Sequence, residues 1–369
     1  MNILVVHGQK IEHYPPVRSL IITLLNIGHH VTIITKYESK NIIEHVNLKY
    51  IRIPDNNNGR SLKNIYAYVN KRRFMRKMVI EEMKYNDLLW TTTDSTVRDL
   101  GNLVCNYRHV MQLMELIEDM PLLPGIPYLK MNFIKIAQQA YKVVVPEYNR
   151  AHIQKVWWNL PELPIVLPNK SIDEDEVGVI PDEVIAAVEK LKLETRKIII
   201  YQGAFQEDRD LKVYAEAIDK LDGEYVLYLM GRKNDYCNGI LSNFVNVEYL
   251  GFFTPPFHLL LTKYAHIGLV PYVPQKVKHN SILNALYCAP NKIFEFTKYG
   301  IPMLGNDVPG LTIPLQTFNL GVVRKRNDTD EIIELIEYIE QNYDSMSVGC
   351  LKYYASIDLK RTISEIVEE

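Results

Sequence analysis

The stretch that decides the fold is APNKIFEFTKYGIPMLGNDVPGL, residues 289–311. It predicts a loop broken by proline, then a helix from about Lys292 to Tyr299, a stop at Gly300 and a short apolar strand. A second loop, residues 305–310, follows that strand. Such an alternation of helix and strand is typical of one repeating unit of an α/β protein.

Two side chains of this stretch can carry chemistry. Lys292 lies in the first turn of the predicted helix, where a cation does not stabilise the helix but can pair with a phosphate held by loop N–H groups. Glu295, one turn further on, can accept hydrogen bonds from neighbouring hydroxyl groups. The alternative is an ordinary helix–strand unit with Glu295 on its solvated face. The joint spacing of residues 291–292, Glu295 and residues 300–302 favours the binding interpretation.

The rest of the chain repeats this alternation in both halves. Apolar or β-branched runs predict strands at Ile3–Val6, His30–Thr35, Leu48–Ile53, Asp87–Thr91, Val110–Leu116, Lys142–Val145, Lys197–Tyr201, Glu224–Met230, Val247–Leu250 and Ile267–Val270. Helical patterns separate many of these runs, so the strands form βαβ units and parallel sheets. The predicted fold class is α/β, with two Rossmann-like domains facing each other across a cleft at the carboxyl ends of their strands.

A linker divides the two halves near residue 170. Residues 160–182 carry four prolines and the acidic run Asp173–Glu176, a composition that favours an irregular connection. We therefore place an N-terminal domain at residues 1–168 and a C-terminal domain at residues 169–349.

The composition of the chain argues against several classes of function. The net charge of −2 among 369 residues argues against nucleic acid as a partner, because phosphate-backbone binding needs a basic surface. The four cysteines are scattered with no Cys-x-x-Cys pair, which predicts reduced thiols and no zinc site. The N-terminus lacks the features of a signal peptide, and no uncharged run approaches the ~18 residues of a membrane span. A cytoplasmic protein is expected.

Several segments resemble retaining glycosyltransferases of family four, which have the GT-B architecture. Residues 290–302 match the family's donor-site pattern P-x-K-x-x-E-x-x-x-x-G-x-P. Further similar segments are VVPEYNR (144–150), LPN (167–169), YQGAF (201–205) with Arg209, LMG (229–231) and YLG (249–251). Because these segments span most of the chain, the resemblance implies the whole GT-B fold. It also implies that the C-terminal helix, residues 350–369, crosses back to the N-terminal domain.

The resemblance implies a site for a nucleoside diphosphate sugar, UDP- or GDP-linked, in the C-terminal domain. Arg209 and Lys292 would form the clamp that stabilises the departing diphosphate in place of a metal. The alternative for Arg209 is a surface arginine in the charged loop 207–210. The residues expected to bind the nucleotide-sugar are Gly8, Gly203, Gly231, Phe252, Asn291 and Glu295, with Glu295 on the ribose. No cofactor and no metal are expected, because the chain has no Asp-x-Asp motif flanked by strand.

Two positions depart from the family pattern. Many members carry a second glutamate eight residues before the ribose-binding one, where this chain has Tyr287. Relatives often place a histidine after the strand that corresponds to Val110–Leu113, where this chain reads MQLME, residues 111–115. Glu115 is the polar residue of that region to which we assign a catalytic role, the alternative being an exposed loop carboxylate.

The predicted helix over residues 61–84 is basic and amphipathic. It carries seven basic residues against Glu81 and Glu82: Lys63, Lys71, Arg72, Arg73, Arg76, Lys77 and Lys84. Such a helix can rest on anionic lipid, which predicts a peripheral position on the inner face of a membrane. The alternative is the solvated face of a packed helix.

Taken with the resemblance, the sequence predicts a retaining, metal-independent hexosyltransferase. It would transfer a hexose from a nucleoside diphosphate sugar to a glycan or lipid-linked acceptor, in the synthesis of a bacterial surface polysaccharide. Two alternatives stay open. One is a nucleotide-sugar epimerase, which shares the architecture, and the other is a catalytically silent homologue that acts as a partner subunit.

Overall fold

The structure is a computed structural model that describes residues 1–37, 43–54, 62–123, 126–172, 179–275 and 281–368. The chain divides into two compact units, which are described separately. The first unit draws on Met1–Pro168, residues 281–284 and Asp358–Glu369, and the second on Asn169–Gln275 and Ala285–Ile357. The acidic run Asp173–Glu176 and Ser61, the predicted start of the basic helix, lie outside the described residues.

The first unit is built on a parallel sheet. Its strands are β1 Asn2–Lys10, β2 His30–Lys36, β3 Leu48–Arg52, β4 Leu88–Thr92, β5 His109–Gln112, β6 Pro121–Leu123, β7 Ile126–Lys130, β8 Lys142–Val145 and β9 Ile165–Val166. Its helices are α1 Pro15–Asn26, α2 Leu62–Glu82, α3 Asp94–Leu100, α4 Phe133–Gln139, α5 Tyr148–Trp158 and, at the end of the chain, α15 Leu359–Glu368. The described strands pair in the order β3-β2-β1-β4-β5-β8-β9, and β6 and β7 form a separate hairpin.

The second unit repeats this plan. Its strands are β10 Lys197–Gln202, β11 Tyr225–Met230, β12 Val247–Gly251, β13 Ile267–Val270, β14 Met303–Asn306 and β15 Gly321–Arg324. Its helices are α6 Asp182–Leu193, α7 Leu211–Asp219, α8 Asp235–Asn243, α9 Leu259–Thr262, α11 Asn291–Thr297, α12 Pro309–Thr317, α13 Thr329–Gln341 and α14 Tyr343–Ser356, while α10 Ile282–Leu286 contains the division between the units. The described strands pair in the order β12-β11-β10-β13-β14-β15.

The strand order of both sheets confirms the predicted fold class. Each sheet begins in its middle, adds its next two strands on one side and then reverses to the other side. That doubly wound order is the order of a Rossmann fold, and it leaves a switch point where the loops after the two central strands diverge. In the second unit the switch point lies between β10 and β13.

Both faces of the second sheet are buried, which explains its continuous apolar strands. Successive side chains of a strand point to opposite faces. Accordingly, Ile200 packs in the core cluster that also contains Phe296, whereas Ile199 and Tyr201 pack in the cluster on the other face. This double burial holds α11, which carries Lys292 and Glu295, firmly against the sheet.

Two predicted elements differ from the structure. The strand predicted at Ile3–Val6 is longer in the structure, because β1 continues to Lys10 and pairs with β2 as far as that residue after an irregularity in register. The helix expected from Cys350 to Val367 is two helices, α14 and α15, because Ile357 is extended and Asp358 accepts a hydrogen bond from Arg361 N at 2.9 Å. Asp358 therefore caps a new helix, and α15 packs against α1 within the first unit. Among the described residues, no helix is both long and apolar enough to cross a bilayer.

Close packing between β13 and α11 gives a test of this fold. A Cβ added to Gly268 of β13 would lie 2.5 Å from the Phe296 ring of α11. We therefore expect Gly268→Ala to lower the free energy of unfolding by about 1–3 kcal/mol through overpacking. The matched control is Gly239→Ala in α8, where a Cβ meets nothing within 4 Å and should stabilise the helix by about 0.5–1 kcal/mol. Equal unfolding midpoints in urea for the two variants would contradict this packing.

Candidate functional site

Several side chains of the second unit lie at its switch point. Gln202 ends β10, Tyr272 follows β13 after one residue, and Asn291 begins α11. Parallel sheets bind ligands outside the carboxyl ends of their strands at this kind of position. The geometry of these side chains therefore decides what the unit can bind.

Two glycines at this edge allow the chain to pack closely. Gly203 has φ of +140°, a conformation that residues with side chains rarely adopt, and a Cβ there would lie 3.0 Å from Lys292 Nζ. A Cβ on Gly231 would lie 2.0 Å from the carbonyl oxygen of Gly203. These glycines leave room for Lys292 and for each other. Their direct contact with a nucleotide stays a prediction.

Lys292 and Arg209, the two cations predicted from the sequence, lie over the same aromatic ring. Arg209 Cζ is 4.2 Å from the centroid of the Tyr272 ring, and Lys292 Nζ is 5.4 Å from it. Lys292 Nζ also lies 4.9 Å from the centroid of Tyr201. Arg209 Nη1 lies 3.1 Å from a carboxylate oxygen of Asp208. The structure thus brings the cations together at the switch point.

The surroundings of Lys292 disfavour its charge. Burial first, and then the positive charge of Arg209, lower the pKa of Lys292 to about 7. Glu295 acts in the opposite direction without restoring the ordinary value. Since an anion beside the two cations would favour the ammonium form, this arrangement is suited to a multiply charged oxyanion such as a diphosphate.

Glu295, which lies on α11 three residues after Lys292, is only 6% exposed. The Gln202 amide donates a short hydrogen bond to one carboxylate oxygen, and His258 Nε2 lies 3.2 Å from the other. Thr262 in turn donates to Gln202 Oε1 at 2.8 Å. Burial raises the pKa of Glu295, but the charge and hydrogen bond of His258 and the Gln202 bond outweigh it and keep the pKa below its ordinary value.

Phe252 and Asn291, two residues predicted to bind the nucleotide, lie in different elements of the second unit. Phe252 follows β12, is 43% exposed, and lies under the guanidinium of Arg232 with Cζ 4.6 Å from its ring centroid. Asn291 is the first residue of α11 and is partly exposed. An exposed ring stacked with a guanidinium offers a flat surface of the kind on which a nucleobase stacks.

Gly8 and Glu115 belong to the first unit. Gly8 N donates to Thr96 Oγ1 at 3.0 Å, so its N–H group is already used within the unit. Glu115 is exposed in the loop after β5 and accepts a hydrogen bond from Asn284 Nδ2 at 2.8 Å. The contact of Gly8 with a nucleotide-sugar stays a prediction, and the Glu115 carboxylate is exposed to solvent.

Asp94 is a further carboxyl of the first unit, and the sequence analysis did not single it out. It follows Thr93, which has φ of +73°, an unusual conformation for a β-branched residue. Burial, and then the negative charge of Glu115, raise the pKa of Asp94 to about 6. The Asp94 carboxyl group therefore lies close enough to the Glu115 carboxylate to feel its charge.

The sequence analysis also missed three partners in the second unit: Tyr272, Gln202 and His258. Gln202 follows the predicted strand Lys197–Tyr201 directly, so the sequence pattern indicates its position at a strand end. Tyr272 follows the apolar run Ile267–Val270, and an aromatic residue after a central strand was a signal that could have been used. No local pattern marks His258, because its partner Glu295 lies 37 residues away.

The fold of this chain is similar to that of known proteins, although its sequence is not. No family model matches the sequence, and no curated protein sequence matches it. Solved structures do match it over nearly their full length. Sucrose-phosphate synthase from Thermosynechococcus elongatus is similar at 14% identity with a TM-score of 0.63, covering 99% of this chain and 94% of the synthase.

Two further structures have the same architecture. HepE from Anabaena, solved in complex with UDP and glucose, is 12% identical with a TM-score of 0.67, covering 100% of this chain and 98% of HepE. WaaG, a glycosyltransferase involved in lipopolysaccharide biosynthesis, is 13% identical with a TM-score of 0.63, and each chain is covered fully. These similarities confirm the predicted GT-B fold of two Rossmann-like domains.

The titration of Lys292 provides a test of the site itself. In protein labelled with ¹³C at lysine Cε, NMR should show a lysine that titrates at about pH 7, absent from Lys292→Met. Arg209→Gln should raise this pKa, because it removes a neighbouring positive charge. Because folding lowers this pKa, the unfolded chain binds more protons at Lys292 between about pH 7 and pH 10.5, so the contribution of Lys292 to the free energy of unfolding should rise with pH over that range. A resonance of Lys292 that titrates near the ordinary value of 10.5 would contradict the site.

Proposed function

We propose that this protein is a glycosyltransferase that uses a nucleoside diphosphate sugar, UDP- or GDP-linked, as its donor. It transfers the hexose to a glycan or lipid-linked acceptor in the synthesis of a bacterial surface polysaccharide, with retention of configuration and without a metal. The observation that carries the proposal is the placement of Arg209 and Lys292 over the Tyr272 ring at the switch point. The fold it shares with HepE, which was solved with UDP and glucose, supports the same donor class.

The proposed chemistry assigns the cations to the leaving group. In the transfer, the bond between the sugar's anomeric carbon and the diphosphate breaks while an acceptor hydroxyl oxygen forms a bond to that carbon and gives its proton to an oxygen of the departing diphosphate. Negative charge develops on the diphosphate as it departs. Arg209 and Lys292, fixed beside each other, stabilise that charge more than they stabilise the bound donor, which lowers the barrier.

Glu295 and the exposed aromatic complete the proposed donor site. A carboxylate oxygen has the capacity to accept two hydrogen bonds, so Glu295 can hold ribose hydroxyls while Gln202 and His258 keep it oriented. Phe252 would stack on the base. For the acceptor, we propose the carboxyl groups of Glu115 and Asp94 in the first unit as hydrogen-bond acceptors for hydroxyls.

A lipid-linked acceptor would bring the protein to a membrane, and some basic residues of α2 are better placed than others to contact lipid. Arg72 donates to the carbonyl oxygens of Arg98 and Asp99, and Arg76 donates to that of Leu100. These arginines therefore stabilise the carboxyl end of α3. Among the basic residues of α2 and its following turn with a described surface, the exposed ones are Arg73, Lys77 and Lys84, which we propose as the lipid-facing set.

Transfer assays with UDP- and GDP-hexoses test the proposal. Lys292→Ala and Arg209→Ala should each lower kcat about a hundredfold or more, because each removes one oriented donor to developing charge. The matched control is Lys298→Ala, since Lys298 follows α11 and its Nζ lies near the ring of the neighbouring Tyr299. Excess EDTA should leave the rate unchanged.

The outcomes separate the proposal from its alternatives. Near-normal kcat in both cation variants, with the fold confirmed by thermal unfolding, would contradict the assignment of Arg209 and Lys292 to the leaving group. Nucleotide binding without transfer to any acceptor would favour the catalytically silent homologue. Conversion of one nucleotide-sugar to its epimer, without an acceptor, would identify an epimerase.

A further inference from the structure

The Tyr272 ring lies close to both cations of the site. Arg209 Cζ and Lys292 Nζ lie 4.2 and 5.4 Å from the centroid of its ring. Two like charges in a partly buried position repel each other, and in the absence of an anion they would be expected to move apart. The face of an aromatic ring is electron-rich and attracts cations within about 6 Å of its centre, so the ring offsets part of this repulsion.

The backbone of Tyr272 is fixed by a polar side chain from the next strand. Tyr272 N donates to Asn306 Oδ1 at 3.0 Å, and Tyr214 Oη donates to the same oxygen at 3.3 Å. Val273 N donates to the carbonyl oxygen of Asp208 at 2.9 Å. The segment that carries the ring is therefore tied both to β14 and to the turn that carries Arg209.

The turn that carries Arg209 is held from its other side by the same network. Arg324, only 5% exposed at the end of β15, pairs with Asp210 at 2.6 Å and donates to Tyr214 Oη at 3.0 Å. Asp210 directly follows Arg209 and has φ of +43°, which shows that the turn has an uncommon conformation. One connected set of hydrogen bonds thus links the residue beside Arg209 to the residue that holds Tyr272.

We propose that Tyr272 is a positioning residue of the leaving-group clamp, and that Asn306 fixes its ring in place. The ring keeps Arg209 and Lys292 side by side in the free protein, so an arriving diphosphate meets both cations without first having to order them. This inference rests on the proposed function of the site and deepens it. The ring acts through the cations, so its loss should weaken binding only while the cations are present.

Calorimetric titration of the full chain with UDP and with GDP tests the proposed role of Tyr272. Tyr272→Leu should weaken binding of the preferred nucleotide about tenfold, because it removes the ring that attracts both cations. Tyr272→Phe keeps the ring and should bind within about twofold of the unchanged protein. In the Arg209→Ala background, Tyr272→Leu should have a clearly smaller effect, which a purely structural residue would not show.

A second variant covers the case in which Tyr272→Leu does not fold, as judged by thermal unfolding. Asn306→Ala keeps the ring but removes its backbone anchor, and should weaken nucleotide binding about threefold. Unchanged affinity in the folded Tyr272→Leu protein, or an effect equally large without Arg209, would overturn the role of Tyr272 while leaving the proposed function standing. If the unaltered, folded protein binds neither UDP nor GDP, both this inference and the proposed donor class are wrong.

Discussion

Repulsion between Arg209 and Lys292 is the constraint on which the candidate site depends. Burial together with the Arg209 charge lowers the pKa of Lys292 to about 7. Two neighbours offset part of the repulsion between the cations: the Tyr272 ring lies beside both of them, and the negative charge of Glu295 acts on Lys292. A site that keeps two cations close together in this way is prepared for an anion that carries more than one charge.

The fold of the second unit supplies the positions that make this arrangement possible. Reversal of the strand order between β10 and β13 separates the loops that follow them, so residues from both loops can surround one space. Gly203 leaves the volume that Lys292 occupies, and Gly268 lets the Phe296 ring of α11 lie directly on the sheet. Each of these contacts involves residues that are distant in sequence, so the site depends on correct packing of the whole sheet.

The sequence predicted the fold class and the two cations, for identifiable reasons. Apolar runs alternating with helical patterns predict parallel sheets, and the spacing around Lys292 and Glu295 is a recognisable local motif. It did not predict that Glu295 is buried, because a glutamate on a helix carries no local sign of a partner such as Gln202, which lies 93 residues away. It also did not predict the break at Ile357, since neither proline nor glycine marks it. Gly8 shows a further limit: the apolar run that predicts the first strand ends at Val6, whereas hydrogen bonding to Thr96 and continued pairing with β2 make Gly8 part of β1.

The central claim is that the diphosphate of a nucleotide binds at Arg209 and Lys292, and a crystal structure of the protein with UDP or GDP bound tests it most directly. The account predicts diphosphate oxygens within hydrogen-bond distance of both Lys292 Nζ and the Arg209 guanidinium, with the Tyr272 ring still beside both cations. A nucleotide bound elsewhere on the protein, or one whose diphosphate contacts neither cation, would contradict it.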